Sequence, residues 1–198
     1  MDIRRTRYPD IRSLVRPAVV RLAEPEDIVS ILTCLRKGLH EVTHDVPMPE
    51  PDMPYALQAM LDLIAQDFVH VTINTNGHVV GVLALHVNSW PWVAPSNRAG
   101  HYLTDAYFWV ERPYRRGGTA TKLLDAAKAT ADRLKLPLMI EVSSGGAEVA
   151  LKDRFVRRCG FEYVGGKMYR APDPALAGLF RFFLCLHPCA ATALLRPG

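Results

Sequence analysis

The sequence predicts a mixed α/β domain, in which a central, mostly antiparallel sheet is flanked by helices and carries one parallel strand pair. Three observations lead there. Asn76-Gly77 separates two β-rich runs, a two-residue signal for an antiparallel hairpin. Residues 103–142 read as strand, helix, strand, a unit whose crossover connection brings its two strands together in parallel. Ile28, Ile31, Leu32, Leu35 and Leu39 recur at i, i+3, i+4, i+7 and i+11, one face of an α-helix. A chain of 198 residues has room for one such domain with appendages rather than for two.

Taken in order, Ala18 to Leu22 reads as a short strand, and Glu24-Pro25-Glu26-Asp27 opens the first helix with an early proline and carboxylates in its first turn. That helix is expected to end near His40. Pro47, Pro49, Pro51 and Pro54 make 41–54 a loop, followed by a second helix carrying Leu57, Met60, Leu61 and Ile64. Phe68 to Thr75 and His78 to Val87 form the hairpin strands, and Trp90 to Gly100 an exposed aromatic loop. Leu103 to Glu111 is a strand. Ala120, Leu123, Leu124, Ala127, Ala131 and Leu134 keep helical spacing, with Lys122, Asp125, Lys128 and Asp132 outside. Pro137 to Val142 is a strand, Glu148 to Cys159 a helix stopped by Gly160, and 161–170 a closing hairpin around Gly165-Gly166.

Both ends differ from this body. The net charge of +4 lies entirely in the first 21 residues, where six arginines face two aspartates. The reading divides the chain into a basic arm (1–16), a domain (17–171) and an apolar tail (172–198). The arm is either a solvated terminus or a track for nucleic acid. The tail, with Phe180, Phe182, Phe183, Leu184 and Leu186, is interrupted by Arg181 and His187-Pro188 and makes a poor membrane span. It reads as a terminal helix packed on the domain or in a homodimer or assembly interface, or as a membrane-surface segment. The arginines of the first 16 residues leave no apolar run for a signal peptide, so the chain is expected to be cytoplasmic. Cys34, Cys159, Cys185 and Cys189 are too scattered for a disulfide framework, and Cys185, His187 and Cys189 lack the paired ligand spacing of a zinc site.

The chemistry is expected at Arg115-Arg116-Gly117-Gly118-Thr119-Ala120, a basic glycine turn between a strand and a helix. Glycine lets the backbone approach a bound group, and the free N–H groups of a first helical turn attract phosphate. Arg115 and Arg116 add positive charge there. The turn is neither a P-loop, since no lysine follows Gly118, nor a Gly-x-Gly-x-x-Gly dinucleotide fingerprint.

With Arg115, Gly118 and Ala120 filling the places of Arg/Gln-x-x-Gly-x-Gly/Ala, the turn resembles the cofactor loop of the GNAT acetyltransferases. Trp109 to Tyr114 is similar to that family's approach to the loop, Ile140-Glu141-Val142 to its fifth strand, and Gly160-Phe161 to the end of its last helix. The resemblance spans roughly residues 17–171. It implies transfer of an acetyl or other short acyl group from acyl-CoA to an amine by direct attack. It implies that the amides of Arg116, Gly117, Gly118, Thr119 and Ala120 hold the pyrophosphate. The backbone of Trp109 and Val110 would hold the pantetheine arm where the fourth and fifth strands splay, with the Val110 N–H available to a developing oxyanion.

In two places the chain departs from the family. Val156 stands where the family often has a tyrosine acid, and Gly145-Gly146 where asparagine is common. Asp105 lies near the family's glutamate base, although Thr104 aligns better and strand alternation puts the two on opposite faces unless a bulge intervenes. His86 and His101 are candidates for relaying a proton through water. The acceptor is expected between 40–54, with Glu41, His44, Asp45, Glu50 and Asp52, and 90–101. The competing reading is a catalytically weak module of the same fold that binds a protein or nucleic-acid partner.

Overall fold

The computed structural model describes residues 18–42, 50–94, 96–141 and 148–163. The chain divides into two compact units, Met1–Glu162 and Tyr163–Gly198, and every helix and strand described here lies in the first. In order these are β1 (Val19–Leu22), α1 (Ile28–Val42), α2 (Met53–Ala65), β2 (Val69–Ile73), β3 (Val79–Ser89), β4 (His101–Val110), α3 (Thr119–Leu134), β5 (Leu138–Met139) and α4 (Glu148–Arg158), with short 3-10 turns at Pro25–Asp27, Arg98–Gly100 and Arg112–Tyr114. The basic arm, the apolar tail, the closing hairpin beyond residue 163 and Gly145-Gly146 lie outside the described residues.

The five strands lie in sequence order across one sheet. The pairs from β1 to β4 are antiparallel, and β4–β5 is parallel, as the crossover through α3 requires. One face packs on α1 and α2 through Ile31, Cys34, Met60, Ile64, Val71 and Val82. The other packs on α3 through Leu83, Leu85, Leu103, Leu123, Leu124 and Ala127. Because both faces are covered, β2 and most of β3 are buried throughout and do not alternate apolar with polar. His70 and Thr72 are the buried polar residues of β2, and the His70 Nε2 lies 3.0 Å from the Thr130 hydroxyl of α3.

Two helix ends differ from expectation. α1 runs on to Val42, and α2 begins at Met53 inside the expected loop. Asp52 caps α2 by accepting the Tyr55 N–H at 3.2 Å, and Pro54 sits in the first turn, where its missing N–H costs nothing. α1 crosses β4 closely at Gly38. A Cβ there would collide with the Tyr107 hydroxyl and approach Trp109 Cδ1 to 2.9 Å, so α1 could not lie in this position with a side chain at 38.

Candidate active site

The site is built on β4, which is irregular at one point. Its register with β3 runs Leu85↔Asp105 and then Ala84↔Tyr107, so Ala106 is an extra residue and forms a β-bulge. Before the bulge Leu103 faces α3; after it Phe108 and Val110 do, while Tyr107 and Trp109 pack with α1. The bulge follows Asp105. Thr104 and Asp105 therefore stay on opposite faces, Thr104 across from His86 and Asp105 across from Leu85.

The bulge also turns the main-chain groups. Glu111 N–H donates to the Val80 carbonyl at 2.8 Å. By antiparallel alternation Tyr107, Trp109 and Glu111 bond to β3, and the N–H and C=O of Phe108 and Val110 point to the opposite edge. Among the described residues that edge is open, because there β5 pairs with β4 only at Leu103↔Leu138 and Thr104↔Met139. The splay thus begins at Asp105, well before Val110. Its free edge belongs to Phe108 and Val110, whereas the expectation was Trp109 and Val110; the single residue inserted at Ala106 makes the difference.

Beyond β4 the chain turns through Arg112–Tyr114 and enters α3 at Gly118, whose φ of +78° is the left-handed conformation glycine adopts without strain. A Cβ at Gly118 would meet nothing within 4 Å, so the space over the turn is open. Arg115 N–H donates to Arg112 O at 3.3 Å and Gly117 N–H to Tyr114 O at 3.2 Å, and the first bond into the helix is Lys122 N–H to Gly118 O. Among the described residues no acceptor faces the N–H groups of Arg116, Gly118, Thr119 and Ala120. Four of the five expected amides are therefore available at the positive end of a 16-residue helix, while that of Gly117 is used within the turn.

Arg115 has a different task from the one its charge suggested. Its Nε donates to the Val110 carbonyl at 2.7 Å, and its terminal nitrogen is paired with Glu41 of α1. Arg112 also reaches Glu41 at 3.6 Å, and Lys37 of α1 pairs with Glu111 at 2.9 Å. The last turns of α1 are thus tied to the end of β4, leaving Arg116 as the turn's exposed cation without an ion pair among the described residues. Asn74 of the β2–β3 turn holds the Tyr114 hydroxyl at 3.1 Å from the other side.

The remaining candidates are spread out. Asp105 accepts the Glu141 N–H at 2.7 Å. His86, half-buried, is on the α1 face across from Thr104; His101, across from Ser89, is on the α3 face with Leu103, so the two histidines are not brought together. Trp90 stacks on Trp92 with centroids 5.1 Å apart and lies 5.0 Å from Tyr102, an exposed aromatic shelf at the far end of β3 and β4. Of the acidic acceptor segment, Glu41 is engaged by Arg115 and Asp52 by α2, while His44 and Asp45 lie outside the described residues. Tyr107 donates its hydroxyl to the Cys34 carbonyl at 2.6 Å, and burial pushes its ionisation far above the ordinary range. Burial likewise pushes the Cys34 thiol up to about 11, so at neutral pH it is no nucleophile. Tyr107 and Phe108 were not singled out from sequence, and Glu41 was expected at the acceptor, not as the partner of Arg115. Only the bulge and contacts across 73 or 74 positions reveal them.

This combination of a bulged, splayed strand and a phosphate-type turn has a counterpart among known proteins. The pattern of the Acetyltransferase (GNAT) family matches residues 36–161, and the chain belongs to that family. No curated protein sequence matches it significantly. Among solved structures, it is similar to aminoglycoside 6'-N-acetyltransferase AAC(6')-Ih from Acinetobacter baumannii, at TM-score 0.56 and 14% identity over 79% of this chain and 99% of that one. A predicted acetyltransferase with acetyl-CoA from Clostridium acetobutylicum aligns at TM-score 0.58 and 18% identity, over 78% and 96%. An agmatine N-acetyltransferase mutant, S171A, in its apo form aligns at TM-score 0.59 and 13% identity, over 75% and 84%. At these identities the likeness is one of fold.

Proposed function

We propose that this protein transfers an acetyl or other short acyl group from acyl-CoA to an amine by direct attack. The observation that carries the reading is the open row of N–H groups at Arg116, Gly118, Thr119 and Ala120, set beside a strand edge where, among the described residues, the Phe108 main chain and the Val110 N–H have no strand partner. Those amides, with the Arg116 guanidinium, would hold the pyrophosphate, and the Phe108–Val110 edge the pantetheine amides. The cofactor would supply an activated thioester. The Val110 N–H is the donor placed for the developing oxyanion.

Val156 gives α4 no acid at the position where the family often has tyrosine, and Tyr107 is committed to the Cys34 carbonyl. Proton loss from the amine is assigned to water, with His86 and His101 as relays of which His86 shares its face with Thr104 and α1. The acceptor side is assigned to the α1 face of β3 and β4, the face that carries His86 and Thr104. Among the described residues no helix is long and apolar enough to cross a membrane, and we place the activity in the cytoplasm. Thiol release from acetyl-CoA across a panel of polyamines, aminoglycosides and peptide N-termini tests the reading. Amine-dependent release supports it. Tight CoA binding without release by any amine favours the binding-module reading, to which the absent acid at Val156 points.

A further inference from the structure

We infer that Asp105 is a positioning residue that holds β4 and β5 apart with its side chain and so creates the opening of the splay. The argument rests on the phase of the ladder. Leu103 N–H donates to the Pro137 carbonyl at 2.8 Å, and the pairs Leu103↔Leu138 and Thr104↔Met139 follow. In a parallel ladder of that phase, the next bond would run from the Glu141 N–H to the main-chain carbonyl of Asp105. The Glu141 N–H instead reaches the Asp105 Oδ1 at 2.7 Å. The side chain has taken the place of its own backbone acceptor. A carboxylate oxygen lies three bonds from its Cα, one more than the main-chain carbonyl oxygen, so the donor strand is held off at the point where regular pairing ends. On the other edge of β4 the Ala106 bulge breaks the register with β3 at the next residue. Among the described residues, the two irregularities together leave Phe108 and Val110 without strand partners on the β5 side.

The bond also satisfies a donor that a widening sheet would otherwise strand. Without the carboxylate, the residue-105 carbonyl is the acceptor that the phase of the ladder offers the Glu141 N–H. Asparagine retains an acceptor oxygen at the same reach and alanine does not. That difference separates this role from general-base catalysis, which asparagine would abolish.

For its catalytic consequence the inference rests on the acyl-CoA reading, so its test has two readouts on the full chain. Crystal structures of Asp105→Asn and Asp105→Ala show where the Glu141 N–H goes, and calorimetry with CoA gives affinity. The expected results are an unchanged splay and CoA affinity within about threefold for Asp105→Asn, with turnover reduced less than tenfold. For Asp105→Ala, the Glu141 N–H should bond to the residue-105 carbonyl, and CoA affinity should fall at least tenfold. An unchanged β4–β5 geometry in Asp105→Ala overturns the inference, as does an Asp105→Asn variant as inactive as the alanine. If wild-type protein binds no CoA, the acyl-CoA reading falls, while the crystal structures still decide whether Asp105 sets the strand separation.

Discussion

Glu41, in the last turn of α1, grips Arg115, whose Nε caps the Val110 carbonyl at 2.7 Å. The residue that resembles the first position of the family's cofactor loop thus serves as a strut between a helix and the end of the central strand. The side chains are 35% and 26% exposed, so the ion pair itself contributes no more than about 0.5–1 kcal/mol. The bond to Val110 is made inside the turn and contributes more. Arg115→Gln is therefore expected to lower Tm by a few degrees and CoA affinity several-fold, and Glu41→Gln to do less. The double variant should be little worse than Arg115→Gln alone, since Glu41's other partner, Arg112, is 3.6 Å away and largely exposed. Additive losses would separate the two residues.

At Gly118 the backbone requires a positive φ and the space above must stay open. Gly118→Val imposes left-handed strain of roughly 1–2 kcal/mol and puts a branched side chain where phosphate would lie. CoA affinity should fall at least tenfold while circular dichroism stays native. Retained affinity would move the phosphate elsewhere.

His70 is buried against α3, and its affinity for a proton is lowered, first by burial and then by the nearby Arg133. The unfolded chain therefore binds the His70 proton more readily than the folded one. Its contribution is fully present above the ordinary histidine value of about 6.5 and is lost as pH falls through the lower folded value. Denaturation midpoints should drop between pH 7 and 5 in wild-type protein, with a smaller drop in His70→Gln. Equal slopes would remove His70 from the pH response.

A general acid or base contributes ~10²–10⁴-fold. With Val156 apolar and His86 and His101 on opposite faces, neither histidine should carry that much. His86→Gln and His101→Gln are each expected to reduce kcat less than about a hundredfold. A larger loss with unchanged CoA affinity would identify that residue as the base.

Burial holds Cys34 as a thiol at neutral pH. Iodoacetamide at pH 7.5 should leave Cys34 unlabelled in the native protein and label it in urea, followed by peptide mass spectrometry. Fast native labelling would contradict the packing of α1 on the sheet.

What was legible in the sequence was what neighbouring residues decide. The Asn76-Gly77 turn, the spacing of Leu123, Leu124 and Ala127, and the glycine turn at Gly118 are each local, and the structure has a hairpin, a helix and a left-handed glycine turn there. The Ala106 bulge has no glycine or proline to mark it and depends on how β4 meets β3. The resemblance put Trp109 and Val110 on the pantetheine edge; with the bulge, Phe108 and Val110 face it. The Glu41–Arg115 and Asp105–Glu141 contacts join residues 74 and 36 positions apart, beyond any local pattern. The start of α2 was hidden for a chemical reason: proline breaks a helix interior but suits a first turn, and the sequence alone did not say on which side of the boundary Pro54 falls.

The central claim is that the Gly118 turn and the open edge of β4 hold acyl-CoA. The most direct test is an amide-resolved NMR titration of the full chain with CoA. The expected result is saturable shifts confined to the N–H groups of Arg116, Gly118, Thr119 and Ala120 and of Phe108 and Val110, abolished in Gly118→Val. Shifts centred elsewhere, or none at millimolar CoA, would contradict it.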